Sequence, residues 1–439
     1  MKAGWRALGS GPLGVRNFRL LCGGQFASTI GDYCYAVALP WLVLSEHGGV
    51  ILLGTVLACY GVPRTVLLPV GGVLADKLGS RPLMLLADVA RCVLVAVLAV
   101  LAARHVASLA ALGPIAALIG AGEGLFIPAS VAIMPSLLDG EQLAAGNALS
   151  TATLQAGSLL GPALGGGLVA ATHTSTAAFG LDAASFGISA LSLLMIRVKA
   201  PGGEAPAQPE GAEAPPEGAL ALLRRSRALQ VVLVVVIAAN LASGGMGDVA
   251  LPALAHAKFG AAGYGALLAC LAVGGVAGTL AAARTGGLRA PVVFASVIFL
   301  VESACLALVP YLGGEAGAAA FLCLAGACNG LGNVTFLTVM QRWVSPGVLG
   351  RVMGMVMLCA FGSFPLSVAV SGVLVRHLGP VPFFPVAGAL VAVAVLFGLT
   401  QREFRALGAT EDAPAEDVVQ AAGGSQAAGG SQAAEGSRK

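Results

Sequence analysis

The sequence predicts an all-α membrane protein of twelve transmembrane helices, arranged as two parallel six-helix repeats. Three observations carry that expectation. Apolar residues fill 57% of the 439 positions and charged residues only 10%, against about 25% charged in ordinary soluble domains. Twelve separate apolar segments can be marked, each long enough, as a helix of about 20 residues, to cross a hydrocarbon core of about 30 Å. The chain also matches itself at an offset of 206 residues: Glu123-Gly124-Leu125 falls on Asn329-Gly330-Leu331, Ile133-Met134 on Val339-Met340, and Leu143 on Leu349. The same offset puts Gly72 on Gly278 and Leu74 on Leu280, with Ala282 where the first copy has Asp76. Equivalent spans run in the same direction, so the repeats are parallel.

In chain order the spans fall at residues 18–44, 51–75, 82–103, 107–134, 148–172 and 176–198, then 228–254, 261–284, 290–310, 316–341, 350–376 and 380–400. Span 1 is too long for the apolar core of a cleavable signal and is followed by eleven more, so no leader is expected. Spans 2 and 3 flank the polar run Gly72-Val-Leu-Ala-Asp76-Lys77-Leu-Gly79-Ser-Arg81, a turn in which glycine lets helix ends approach and Asp76 can cap a helix start. Span 4 carries Glu123. Span 5 carries Gly157-Ser-Leu-Leu-Gly161-Pro162-Ala-Leu-Gly165-Gly166, where small residues four apart clear one helix face for a neighbour and Pro162 bends the backbone. After span 6, residues 199–218 hold several Pro and Glu and no aliphatic run, and 199–227 read as a linker between bundles 18–198 and 228–400. Spans 7 to 12 repeat the first six. The tail, 401–439, ends in Gly-Gly-Ser-Gln-Ala-Ala repeats and reads as disordered.

Orientation follows from the basic residues. Of the 24 Lys and Arg residues, only Arg104, Lys258 and Arg376 fall on the loops opposite the termini, while Arg64 and Arg91 lie inside spans. The rest share the side of residues 1–17 and 401–439, so both termini are expected in the cytoplasm of a cell whose inner or plasma membrane holds the chain.

Charge inside a bilayer costs roughly 2.5–3.5 kcal/mol at mid-helix on insertion scales. Asp32 lies about 21 Å along span 1 from the terminal side, and Arg64, Glu123 and Glu302 about 16–18 Å along theirs. These four are the candidates for a cavity-lining network in which Asp32 or Glu123 exchanges a proton while Arg64 tunes it. The other reading is a fixed ion pair that only orients helices. Asp88 and Arg91 share a helix face three residues apart and are expected to pair, supporting the polar turn as part of a gate. Asp182 and Asp248 are placed toward outer helix ends. Gln25, Asn240, Asn329 and Asn333 serve either substrate or, more simply, interhelical hydrogen bonds.

Other chemistries lack their signatures. His47, His105, His173, His256 and His377 fall at outer helix ends, and the nine cysteines lie within spans with no C-x-x-C pair. There is no H-E-x-x-H, no G-x-S-x-G and no phosphate-binding G-x-x-x-x-G-K-[ST]. A net charge of +3 without a basic stripe gives no nucleic-acid footprint. No enzyme activity, metal or cofactor is expected.

The polar run, with Gly72, Asp76, Lys77, Gly79 and Arg81, resembles the loop between helices 2 and 3 of the major facilitator superfamily. The span 5 run, with Gly157, Gly161, Pro162, Gly165 and Gly166, resembles the signature of its antiporter branches. Asn17-Phe18-Arg19-Leu20-Leu21, Gly31-Asp32, Leu39-Pro40-Trp41-Leu42, Phe126-Ile-Pro128-Ala129, Met134-Pro135, Leu181-Asp182-Ala183-Ala184-Ser185-Phe186 and Gln341-Arg342 before Gly350-Arg351-Val352 look like the macrolide-efflux and enterobactin-exporter branch of drug–proton antiporters. Many relatives carry an Arg in span 4, where this chain has Gly120 and Glu123.

The resemblance implies a major facilitator fold and a secondary transporter that exports a small, largely apolar compound by proton antiport. A monomer is expected, with protons, a small-molecule substrate and the bilayer as its partners. An importer or uncoupled facilitator on the same scaffold, and a non-transporting membrane receptor, are the alternatives.

Overall fold

The computed structural model describes residues 11–197, 223–224, 226–282, 290–344, 346–405 and 407. Twelve helices in it are long and apolar enough to cross a membrane. They are α1 (Arg16–Ser45), α2 (Gly49–Leu78), α3 (Ser80–Ala103), α4 (Leu109–Ala132), α5 (Gly140–Thr172) and α6 (Thr176–Met195). The second set begins with α7, which runs from Arg227–Gly245 through a π-helical turn at Met246–Ala250 into Leu251–Lys258. Then come α8 (Gly260–Ala282), α9 (Pro291–Leu308), α10 (Gly314–Trp343), α11 (Pro346–Leu378) and α12 (Pro380–Thr400). Most of the expected linker and tail lies outside the described residues.

Short turns force neighbouring helices to alternate in direction. Three of those turns use histidine where glycine is usual: His47, His105 and His173, past the ends of α1, α3 and α5, have φ of +59°, +54° and +55°. All three lie on the face opposite the termini. Helix-internal prolines, among them Pro63, Pro69, Pro128 and Pro162, are tolerated because neighbouring helices shield the freed carbonyls from lipid.

The packing pattern occurs twice. In the first six helices α1 packs on α5 and α6, α2 on α4, and α3 on α4 and α6; α7–α12 repeat each pairing with its counterpart. The main crossings between the sets are α2 on α11 and α5 on α8, which are again counterparts, and α1 also touches α7. Glycine makes the close pairs possible. A Cβ at Gly120 would strike the Tyr60 carbonyl oxygen, and one at Gly124 the Arg64 carbonyl. In the second set Gly326 faces the Leu271 carbonyl and Gly330 that of Gly275.

Those contacts correct one detail of the repeat. Gly120 and Gly124 map onto Gly326 and Gly330 at the expected offset, but their partners Tyr60 and Arg64 map onto Leu271 and Gly275, five residues further on. Gly72 therefore has no counterpart in Gly278, which packs inside α8 on the Ala327 carbonyl. At that shift the polar run 72–81 maps onto residues 283–292, of which 283–289 lie outside the described residues.

The core shows which face the two sets share. One apolar cluster includes Leu39, Leu53 and Val95 from the first set with Val249, Leu254, Tyr264 and Val368 from the second. It occupies the face opposite the termini. Near the terminal face the clusters separate, with Phe18, Met84 and Leu193 in one and Val232, Met340 and Phe404 in another. The halves therefore close on one side and part on the other. Along the closed seam Gly54 meets the Val368 carbonyl, Gly166 meets Gly265, and Ser45 Oγ lies 3.4 Å from His256 Nε2, whose ring packs on Trp41.

The seam yields a prediction. Gly166→Leu should lower disulfide trapping between Ser45→Cys and His256→Cys by more than half, in a background cleared of native cysteines. Gly167→Leu, whose Cβ meets nothing within 4 Å, should leave the yield unchanged.

Candidate functional site

The first half holds two ion pairs at mid-membrane depth. Arg91, on α3, points its guanidinium at α1, where Nη2 donates to Asp32 Oδ1 at 2.6 Å. The Phe186 ring lies 4.0 Å from the guanidinium carbon and the Phe126 ring 5.7 Å, so the charge is held between aromatic faces. Asp88 is the third member, at 3.9 Å from Arg91 Nη1. Arg91 is 3% exposed and Asp88 fully buried, whereas the Asp32 side chain is 45% exposed. Asp32 is thus the accessible end of a buried chain of charge. It stands one residue from Tyr33, which lines the space between the halves. Neither Asp88 carboxylate oxygen has a hydrogen-bond partner among the described residues.

Arg64 on α2 and Glu123 on α4 make the second pair, Nη2 to Oε1 at 3.3 Å. Tyr60, one turn from Arg64, donates its hydroxyl to the other Glu123 oxygen. The Arg64 guanidinium also lies over Phe361 of α11, 5.1 Å from the ring centre, so this pair reaches across to the second half. Thr65 beside it donates to the Phe361 carbonyl at 3.1 Å.

One expectation about these groups narrows and two change. Of the two carboxylates that Arg64 was expected to tune, Asp32 or Glu123, it pairs with Glu123. The tight partner of Arg91 is Asp32, on another helix, because the i,i+3 geometry leaves Asp88 at the edge of ion-pair range. Arg91 lies about 17 Å along α3 from its start, so the Asp88–Arg91 pair belongs to the mid-membrane network and not to the polar turn.

The polar turn is shorter than its composition suggests. Residues from Gly72 to Leu78 are the last two turns of α2, and Gly79 alone, at φ +86°, makes the corner. Asp76 therefore sits inside a helix end and does not cap α3; that position is held by Gly79. Asp76 and Lys77 are exposed. Arg81 donates from Nε and Nη2 to the carbonyls of Leu193 and Leu194, at 2.8 and 2.9 Å, filling acceptors left open at the end of α6.

The span 5 glycines split between two neighbours. Gly157, Gly161 and Gly165 face Thr29, Ile30 and Cys34 of α1, while Gly166 faces Gly265 of α8. Cys34 Sγ donates to the Gly161 carbonyl at 3.3 Å. Pro162 lines a cavity of about 470 Å³ between the halves, with Tyr33, Gln155, Ser158, Asp248 and Asn333 around it.

Asp248 was placed at an outer end by span counting, and the structure sets it in the wall of that cavity. The π-helical turn at Met246–Ala250 carries it, and such turns mark functional sites often enough to be a signal. The run Gly244-Gly245-Met246-Gly247 is the cue in the chain itself. Asp182 does not reach the interface either. It is 1% exposed and wedged, with Ser185, against Gly31 of α1. Glu302 stands apart from the other three candidates, in the second half, where Asn329 Nδ2 donates to its Oε1 at 2.9 Å and Asn333 donates to Asn329 at 3.0 Å. Asn240 bonds the carbonyl of Val236 in its own helix, and Gln25 accepts from Ser150 of α5 at 3.2 Å.

Comparison with known proteins gives a consistent family picture. A family model described as Major Facilitator Superfamily matches residues 21–364. The uncharacterized MFS-type transporter YfiS of Bacillus subtilis is 26% identical over 392 residues, 86% of this chain and 91% of that protein. The multidrug efflux pump Tap of Mycolicibacterium fortuitum is 27% identical over 84% of this chain and 90% of its own length. The enterobactin exporter EntS of Salmonella typhimurium is 27% identical over 88% and 93%. Among solved structures, the nucleoside transporter NupG shares the fold with a TM-score of 0.68 at 13% identity, covering 88% of this chain and 99% of that one.

The Arg64–Glu123 pair sets the prediction of this section. Arg64→Met, which strands the Glu123 carboxylate, should cost roughly 3 kcal/mol, the low end for breaking a buried pair. Adding Glu123→Met should recover most of that loss. Thermal unfolding of the two variants in detergent measures the difference.

Proposed function

The chain belongs to the Major Facilitator Superfamily of small-molecule transporters, and we propose that it exports a small, largely apolar compound in exchange for protons. The observation that carries this reading is the Asp32–Arg91–Asp88 chain, exposed at one end and buried at the other, beside a cavity lined from both halves. Basic residues favour the terminal face as cytoplasmic, which makes the described conformation inward-open. In that state Asp32 is ion-paired, as expected after it has given up a proton to the cytoplasm.

Substrate entering from the cytoplasm or the inner leaflet occupies the cavity between α1, α5, α7, α8 and α10. The halves then rock about the crossings of α2 on α11 and α5 on α8. Once the far side opens, a proton reaching Asp32 removes its charge and loosens its hold on Arg91. Asp88, 3.9 Å away, takes over the guanidinium, so the arginine never loses all compensation. The Asp76-bearing end of α2 comes toward the terminal end of α11 as the cytoplasmic side closes and braces the outward-open state. Sequence similarity to the multidrug efflux pump Tap and the enterobactin exporter EntS supports export over import, as does the resemblance of the span 5 glycines to antiporter signatures.

Efflux in everted vesicles tests the proposal, with a panel of fluorescent dyes and macrolides. Wild-type protein should give efflux that a protonophore abolishes, and Asp32→Asn should lower its rate at least tenfold while Asp32→Glu keeps part of it. Efflux indifferent to both protonophore and Asp32→Asn would remove the antiport mechanism and leave an uncoupled facilitator.

A further inference from the structure

We propose that the second half contains its own binding site for a lipophilic organic cation, centred on Glu302. A cavity of about 510 Å³ opens inside this half, within walls drawn from α7, α9, α10, α11 and α12. Its volume falls in the range of about 300–1,000 Å³ that holds drug-sized ligands. Met246, Met340 and Met353 with Phe299 and Phe336 give it an apolar, adaptable lining. Glu302 is the one carboxylate in that lining.

The contrast with the first half is chemical. There, Asp32 and Glu123 each have an arginine. Glu302 is 9% exposed and has no Lys, Arg or His in ion-pair contact among the described residues. Its partner is a neutral amide, Asn329. An ionised carboxylate buried without a counter-charge is costly. A bound cation supplies it, and the two phenylalanine rings add the face that quaternary and phosphonium cations favour. The remaining apolar wall accommodates hydrocarbon around the charge.

The site communicates with the central cavity. Asn329, Asn333 and Val334 line both spaces, and the bonds from Asn333 to Asn329 to Glu302 connect them. A cation leaving Glu302 passes these amides on its way to the space between the halves. This step of the argument, in which the occupant is cargo, rests on the exporter reading; binding at Glu302 does not.

Titration calorimetry of the purified full chain tests the site with two probes of similar shape, tetraphenylphosphonium and the neutral triphenylphosphine oxide. Wild type should bind the cation at least tenfold more tightly than the neutral probe. Glu302→Gln should erase that preference and leave neutral binding unchanged, and Glu302→Asp should keep most of it. Ala360→Phe, which fills the cavity, should weaken both. Equal cation affinity in wild type and Glu302→Gln would overturn the proposal. So would a Glu302→Gln protein that loses both probes alike, since Glu302 would then only shape the cavity. Vesicle efflux of tetraphenylphosphonium separates the two readings. Glu302-dependent binding without extrusion keeps the site and refutes the step in which its occupant is cargo, whereas extrusion untouched by Glu302→Gln keeps export and refutes Glu302 as a station on its route.

Discussion

An ionised side chain in a bilayer core must find its counter-charge inside the protein, and the first half is arranged around that requirement. Asp32 on α1 and Arg91 on α3 meet only because both helices pack on α6, where Asp182 and Ser185 press against Gly31. Arg64 and Glu123 meet only because α2 and α4 cross at Gly120 and Gly124, with a glycine on each side of the glutamate. Glycine here does not serve flexibility. It removes the side chain that would hold two backbones apart, and the ion pair then forms across the gap that remains.

The second half keeps the crossings and drops the pairs. Gly326 and Gly330 repeat the approach of α4 to α2, but Gly275 stands where the first half has Arg64, and Asn329 where it has Glu123. With no arginine to match, Glu302 is held by an amide and faces a cavity lined with methionine and phenylalanine. Two halves of one architecture thus differ in chemistry. On the proposed reading, the first exchanges a proton with solvent at Asp32 while Arg91 keeps a carboxylate partner, and the second receives a positive charge from outside.

Much of this was legible in the chain. The twelve spans follow from hydropathy alone, because a bilayer admits few other backbone solutions, and the repeat was visible in residues around Glu123 and Asn329. The depth of Asp32, Arg64, Glu123 and Glu302 could be counted at one rise per residue. Partners could not be counted. Which carboxylate Arg64 or Arg91 meets depends on which helices are neighbours, and span order does not contain that. The five-residue shift between α4/α10 and α2/α8 was hidden because Ala, Gly and Leu match too easily. Asp248 was misplaced because α7 continues to Lys258, beyond its apolar run, which moves the π-helical turn inward. The polar run at Gly72–Arg81 looked like a loop because charge was mistaken for the end of a helix; α2 simply extends past the membrane core.

The central claim is that the Asp32–Arg91 pair holds the substrate-free protein with its terminal face open, and that without substrate the halves change over only when a proton on Asp32 has broken that pair. Pulsed electron-spin distance measurements between labels at the exposed positions Lys77 and Arg342, at the terminal ends of α2 and α10, test it most directly. Without substrate, wild type should show a single long distance at alkaline pH and gain a shorter one on acidification, while Asp32→Asn should show both distances at every pH. Identical, pH-independent distributions in the two proteins would contradict the account.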